Sequence, residues 1–152
     1  MASNRNRVAL IGKIGCGKTT LVQCLSNQEI HYAKTQMVTY SENFIDTPGE
    51  FVELPFFARQ AINVSCDAGL VILLHSATES QNKFSPNFIH TFNIPAIGVV
   101  TKIDAEKGNI KRARRYLAYA GLNERRIYEV SAVTGEGIDA LIERIHHYVN
   151  LK

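Results

Sequence analysis

Short apolar runs alternate with amphipathic stretches along the 152-residue chain. The runs at residues 70–74 and 96–100 are continuous and rich in β-branched side chains, which is typical of strands buried on both faces. Residues 8–11 and 127–130 predict a first and a last strand, and residues 44–46 predict the end of another. The pattern therefore indicates a parallel sheet.

The stretches between the strands have the period of α-helices. Apolar residues recur every three to four positions in residues 109–119 and 138–149, so each stretch predicts a helix with one buried face. Shorter helices are predicted at residues 19–26 and 55–63, the latter with proline in its first turn, and residues 84–92 give only a weak helical pattern. This alternation predicts an α/β fold of three layers, with a mostly parallel central sheet flanked by helices. Such sheets bind ligands at the carboxyl ends of their strands.

One of these strand ends carries a phosphate-binding motif. Residues 12–19 read Gly-Lys-Ile-Gly-Cys-Gly-Lys-Thr, which matches G-x-x-x-x-G-K-S/T between a strand and a helix. Backbone N–H groups and the helix N-terminus then point at one place, where a polyphosphate can bind. We expect Lys18 to reach the β- and γ-phosphates and the Thr19 hydroxyl to bind Mg²⁺. The residues expected to contact the nucleotide in this loop are Gly12, Gly15, Cys16, Gly17, Lys18, Thr19 and Thr20.

A second strand end is suited to the metal and the γ-phosphate. Asp46-Thr47-Pro48-Gly49 follows the strand that ends at residue 46. Its aspartate suits a direct or water-mediated contact to Mg²⁺, and Gly49 allows a backbone N–H to approach the γ-phosphate.

Two more strand ends are suited to a purine base. Asp104, in the segment Thr101-Lys102-Ile103-Asp104, can accept two hydrogen bonds from the N1–H and N2–H₂ edge of guanine, while the stem of Lys102 lies along the base. Adenine has an acceptor at N1, so it would leave this carboxylate mispaired. Ser131-Ala132 can give a backbone N–H to guanine O6. The pattern predicts guanine in preference to adenine.

Length and composition narrow the class of protein. A chain of this length with 45% apolar residues is predicted to form a single domain over residues 1–152. The longest apolar run is too short for a membrane span, the first strand follows Met1 too closely for a signal peptide, and three cysteines without metal-type pairing favour a reducing cytoplasm. The net charge of +3 is too mild to indicate a nucleic-acid partner.

The motifs resemble those of Ras-like small GTPases of the translation-factor-related (TRAFAC) class, and more closely those of the EutP/PduV family. The resemblance covers essentially the whole chain, and its most specific parts are the Gly-Cys-Gly filling of the phosphate loop and the Lys34-Thr35-Gln36 segment. It implies a P-loop NTPase fold (a minimal G domain), GTP or GDP as ligand with ATP as an alternative, and Mg²⁺. It also implies association with a bacterial microcompartment for ethanolamine or propanediol use.

The resemblance further implies which residues serve the reaction. Thr35 is the candidate for the switch threonine that closes on Mg²⁺, with Thr39 as the alternative. Glu50 stands where Ras-like enzymes place a glutamine that orients the attacking water, so it either acts as a base or faces away. Because no arginine lies between Thr20 and Ala58, hydrolysis is expected to be slow. The candidate catalytic residues are Lys18, Thr35 and Glu50, and the candidate metal ligands are Thr19, Thr35 and Asp46.

Two positions in the base-binding loops also depart from the usual GTPase pattern. Thr101 stands where most relatives have an asparagine whose amide ties the base loop to the phosphate loop, and a threonine hydroxyl can do part of this. Val133 replaces a common lysine, which removes some packing on the base and ribose. We therefore expect a guanine preference with modest affinity.

The residues leave three functions open. The first is a GTP-binding switch or assembly factor that hydrolyses GTP slowly. The second is an ATP-using phosphotransferase of the acetate-kinase type, and the third is a microcompartment module whose nucleotide binding is vestigial. Four basic residues lie off the apolar face of the 109–119 helix and form either a solvated surface or a docking surface for an acidic partner or a shell or cargo protein. These residues are Lys111, Arg112, Arg114 and Arg115.

Overall fold

The computed structural model describes residues 7–12, 16–25, 39–40, 44–46, 68–82 and 84–149. These residues form a six-stranded sheet and three α-helices. The strands are β1 Val8–Gly12, β2 Thr39–Tyr40, β3 Phe44–Asp46, β4 Leu70–Ser76, β5 Ala96–Thr101 and β6 Ile127–Glu129. The helices are α1 Lys18–Leu25, α2 Ile110–Tyr119 and α3 Ile138–Tyr148.

The sheet has the strand order β2-β3-β1-β4-β5-β6. All neighbours are parallel except β2, which pairs antiparallel with β3 at one edge. The two residues of β2 are too few to give a periodic pattern, so this strand was not predicted from the sequence. The carboxyl ends of the five parallel strands lie at one edge of the sheet, which we call the ligand edge.

Apolar side chains cover both faces of the sheet, as the unalternating strand patterns predicted. Alternate residues of each strand point to opposite faces, so Ala9 belongs to the cluster that includes Leu117 of α2, whereas Leu10 belongs to the cluster that includes Leu21 of α1 and Leu141 of α3. Helices therefore cover both sides, and the three-layer α/β prediction is confirmed.

The crossover between β4 and β5 differs from the weak helix predicted at residues 84–92. Only Phe88–Thr91 is helical, as a 3-10 turn. On the α2 side of the sheet, Phe84 nevertheless stacks on Phe88, with ring centroids 5.7 Å apart, and Phe88 meets Phe92 edge to face at 5.3 Å. The four-residue spacing that suggested a helix thus reflects one row of buried aromatic rings.

The other predicted helices agree closely with the structure, except that residues 55–63 lie outside the described part of the chain. Asn109, placed inside the second long helix by its sequence, is instead its N-cap, and its side chain accepts a hydrogen bond from the N–H of Arg112. Within the described residues, no helix combines the length and apolar character needed to cross a membrane.

Candidate nucleotide-binding site

The phosphate loop leaves the sheet at the centre of the ligand edge. β1 ends at Gly12, which lies opposite Leu74 of β4. A Cβ atom on Gly12 would lie 2.6 Å from Cys16 Sγ and 2.8 Å from the Leu74 carbonyl oxygen, so a side chain there would collide with the returning loop. The Cys16 thiol is buried in the apolar cluster under α1. It therefore packs into the core next to the end of β1.

The loop then turns directly into α1. Gly17 has a φ of +94°, a conformation that favours glycine. Its carbonyl accepts a hydrogen bond from the N–H of Leu21 at 2.9 Å, which closes the first helical turn. Lys18, Thr19 and Thr20 are the first three residues of α1, where the backbone N–H groups have no acceptor within the helix. The local geometry is that of an anion-binding helix N-terminus.

A hydrogen bond between two described residues joins the base loop to the phosphate loop. The hydroxyl of Thr101, at the end of β5, donates to the carbonyl oxygen of Cys16 at 2.5 Å. Both residues are buried, and they are 85 positions apart in the sequence. The expectation that a threonine hydroxyl can tie these two loops together is confirmed.

Lys102 adds a second contact between the same two loops. Its backbone has a φ of +58°, which is uncommon for a residue other than glycine. Its Cε lies 3.9 Å from where a Cβ of Gly17 would stand, so the aliphatic stem passes close to the phosphate loop. The base loop is thus positioned from both Thr101 and Lys102.

Asp104 is held from the opposite side by the loop that follows β6. The Ser131 hydroxyl donates to Asp104 Oδ1 at 2.7 Å and accepts from the N–H of Thr134 at 3.1 Å. Among the described residues, Asp104 Oδ2 has no hydrogen-bond donor. The N–H of Ser131 is used by the Glu136 carbonyl at 2.9 Å, whereas the N–H of Ala132 has no acceptor in the described part of the chain. Of the two amides proposed for guanine O6, that of Ala132 is therefore the available one.

The structure describes only some of the predicted metal ligands and catalytic residues. Asp46 ends β3, next to β1, and pairs across β2–β3 with Thr39, the alternative switch threonine. Only the backbones of Lys18, Thr19 and Asp46 are described, and Gly15, Thr35, Gly49 and Glu50 lie outside the described residues. The structure thus brings together the phosphate loop and both base-binding loops, while the metal ligands and the catalytic residues stay predictions.

Sequence patterns predicted neither a contact between Cys24 and the loop after β6 nor the buried surroundings of His75. Cys24 of α1 lies with its thiol 3.9 Å from the Ala132 carbonyl, and burial raises the pKa of this thiol. His75 of β4 is buried beside Tyr116, with Nδ1 3.0 Å from the Ser76 carbonyl and Nε2 3.2 Å from the Gln81 carbonyl. Burial lowers the pKa of His75, and the two carbonyls oppose this only in part. The spacing of the histidines in the sequence gave no signal for this arrangement.

Comparison with known families agrees with this geometry. A family model named PduV-EutP, described as "Ethanolamine utilisation - propanediol utilisation", matches residues 5–147. The chain belongs to the PduV-EutP family. It is 36% identical over 136 residues to the propanediol utilization protein PduV of Citrobacter freundii, covering 89% of each chain.

More distant relatives extend the comparison. The chain is 26% identical over 139 residues to a protein of Escherichia coli named "probable acetate kinase EutP", covering 90% of this chain and 87% of that protein. Among solved structures, it resembles Aquifex aeolicus Era bound to GDP and AlF₄⁻, with a TM-score of 0.64, 23% identity and 96% of this chain covered. The chain spans 57% of the Era chain. This likeness shows that the PduV-EutP protein has the P-loop fold.

Proposed function

We propose that this member of the PduV-EutP family binds GTP and GDP with Mg²⁺ and hydrolyses GTP slowly. We further propose that it acts as a switch or positioning factor for a bacterial microcompartment that uses ethanolamine or propanediol. The family match over residues 5–147 supports the pathway, and the Era structure bound to GDP supports a guanine nucleotide.

The observation that carries the base preference is the fixed carboxylate of Asp104. Ser131 occupies Oδ1 from one side, at 2.7 Å, and leaves Oδ2 and the remaining lone pair of Oδ1 for a ligand. The amide of Ala132 lies on the same loop and can donate to a carbonyl. Two acceptor positions and one donor match the N1–H, N2–H₂ and O6 edge of guanine. Adenine, with an acceptor at N1 and a donor at C6, reverses that pattern.

Slow hydrolysis is expected because few cations are available to stabilise the charge that develops on the γ-phosphate. Lys18 and the N–H groups of the phosphate loop would bind the phosphates, and Thr19, Thr35 and Asp46 would hold Mg²⁺, which neutralises phosphate charge when bound. No arginine lies between Thr20 and Ala58 to add to them. Turnover is therefore expected below roughly 10⁻² s⁻¹, the level of GTPases that carry their own arginine.

Replacing Asp104 by asparagine tests the proposed base contact. The amide would present an N–H to guanine N1–H, so GDP affinity is expected to fall by at least about a hundredfold, while xanthosine diphosphate, with a carbonyl at C2, should bind more tightly. Titration of fluorescent GDP, ADP and xanthosine diphosphate measures the three affinities. Glu143→Gln, which removes an exposed carboxylate from the middle of α3, is the matched control. Equal GDP and ADP affinities in the native chain would refute the proposed preference for guanine nucleotides.

The name of the Escherichia coli relative supports a second candidate, phosphoryl transfer from ATP to acetate. The products would be ADP and acetyl phosphate, which hydroxylamine trapping detects. ATP bound more tightly than GTP, together with acetyl phosphate that forms only with acetate present, would establish this reaction in place of GTP hydrolysis. A chain that binds neither nucleotide would instead be a non-catalytic microcompartment module.

A further inference from the structure

The outer surface of α2 carries an unusual concentration of positive charge. Residues 106–126 contain seven lysines and arginines and two glutamates, a net charge of +5. Because the whole chain carries +3, the other residues together have a net charge of −2. The net charge of the whole chain is therefore small although residues 106–126 are strongly basic, because the other residues are weakly acidic.

Part of this charge is used to hold the fold together. Arg114, expected to belong to either a solvated surface or a docking surface, is half-buried and forms an ion pair with Glu129 at 2.8 Å. It also donates to the carbonyl oxygens of Ile127 and Glu124, at 3.2 and 3.0 Å. These contacts attach α2 to the 3-10 helix Glu124–Arg126. They also place that helix, with its exposed Arg125 and Arg126, beside α2.

The remaining charge faces solvent in a regular row. Lys111, Arg115 and Tyr119 are exposed and follow one another at four-residue spacing, so they form a straight row on α2, which we call the α2 stripe. Lys107, also exposed, precedes the helix by less than one turn. Within the described part of the chain, none of these basic side chains has an ion-pair partner. The opposite side of α2 packs into the core through Ala113 and Leu117.

The charges of the stripe are also poorly placed for the helix itself. The first turn of α2 contains Lys111 and Arg112 and no acidic residue, and the last turn contains no basic residue. A helix is stabilised by the opposite arrangement, because its N-terminus carries partial positive charge. Helix stability alone therefore does not account for the basic residues at this end, whereas an anionic partner would.

Tyr119 indicates which class of anionic partner the stripe fits. Tyr119 is 53% exposed and is one of two large apolar side chains that are exposed in the described residues. Tyrosine and arginine are among the residues enriched where proteins bind proteins. Glu106 and Glu124 lie within the same segment and would repel a continuous row of phosphates, whereas a protein surface can place cations opposite them. The stripe fits a protein better than a nucleic acid or a lipid surface.

We propose that the α2 stripe is a docking surface for an acidic helical segment of a partner protein. Carboxylates at four-residue spacing on such a helix would face Lys111 and Arg115, and an apolar side chain would cover Tyr119. Because α2 begins near the carboxyl end of β5 and runs back toward the start of β6, Arg115 and Tyr119 lie progressively further from the ligand edge. Docking is independent of the nucleotide proposed above.

The probe is a fluorescein-labelled, alanine-based peptide of about 20 residues, long enough to be helical in water, with glutamate at every fourth position and one leucine. Its anisotropy is measured with the full chain at low salt. We expect saturable binding that weakens as salt is added, because exposed charges are screened. A peptide of the same composition in scrambled order, a DNA duplex and vesicles of phosphatidylglycerol are the comparison ligands.

Variants locate the contact. Arg115→Glu is expected to weaken peptide binding by at least about tenfold, whereas Arg144→Glu, the same reversal on the exposed side of α3, should change it by less than about twofold. Tyr119→Ala should weaken binding several-fold without changing the net charge, and all three variants should bind GDP like the native chain. The proposal is overturned if the peptide does not bind, if both reversals weaken it equally or if the scrambled peptide binds as well. Tighter binding of DNA or vesicles than of the peptide, abolished by Arg115→Glu, would assign the surface to phosphate groups instead.

Discussion

Replacing Thr101 by valine removes a hydroxyl that joins the base loop to the phosphate loop. Valine keeps the shape of threonine, so the change removes the hydrogen bond to the Cys16 carbonyl with little change in packing. Thr101 is 5% exposed, and water therefore cannot easily replace the hydroxyl. Removing a donor from a buried carbonyl costs about 1–3 kcal/mol of the free energy of unfolding. A loss of about 2 kcal/mol lowers the Tm of a domain of this size by roughly 4–8 °C.

Thermal and urea unfolding measure this loss, and Thr91→Val is the matched control. Thr91 also donates its hydroxyl to a backbone carbonyl, that of Phe88 at 2.7 Å, but its side chain is exposed and water can take over the contact. The control should therefore cost less than about 0.5 kcal/mol. Thr101→Val should in addition weaken GDP binding by up to roughly tenfold, because the ligand must then order the loop that the hydroxyl held. Equal stability losses in the two variants would refute a special role for the Thr101 contact.

Three further predictions concern the phosphates, the reaction and pH. Lys18→Ala should abolish GTP binding while the circular dichroism spectrum stays native, and a variant that still binds GTP would contradict the phosphate-loop assignment. In single-turnover assays, Glu50→Gln should hydrolyse GTP at an equal or higher rate if Glu50 faces away, and clearly more slowly if Glu50 acts as a base. Burial lowers the pKa of His75 in the folded chain, so as the pH decreases the unfolded chain takes up the proton before the folded chain does. The contribution of neutral His75 to the free energy of unfolding should therefore be complete above about pH 6.5 and be lost as the pH decreases through the lowered pKa. Urea midpoints from pH 7.5 to 5.5 should fall less in His75→Gln; an unchanged decline would show that His75 does not cause it.

Much of the fold could be predicted because strands and helices have different local periods. The runs at 70–74 and 96–100 correspond to β4 and β5, and the helical patterns at 109–119 and 138–149 correspond to α2 and α3. Prediction failed where a segment was too short to show a period, as in β2. It also failed at residues 84–92, where four-residue spacing arose from ring stacking on a mostly non-helical segment.

Local sequence patterns were enough to predict which loops form the candidate site. A phosphate motif after β1 and a Thr-Lys-x-Asp segment after β5 must lie near each other once the strands are parallel, because the carboxyl ends then share one edge. The contacts between these loops became visible only in the three-dimensional fold: the hydroxyl of Thr101 donates to the Cys16 carbonyl, and Ser131 holds Asp104 while its own amide donates to the Glu136 carbonyl. Such contacts form only when strand register and loop geometry bring the donor and the acceptor within hydrogen-bond distance. Local sequence patterns do not specify distances between residues far apart in the chain.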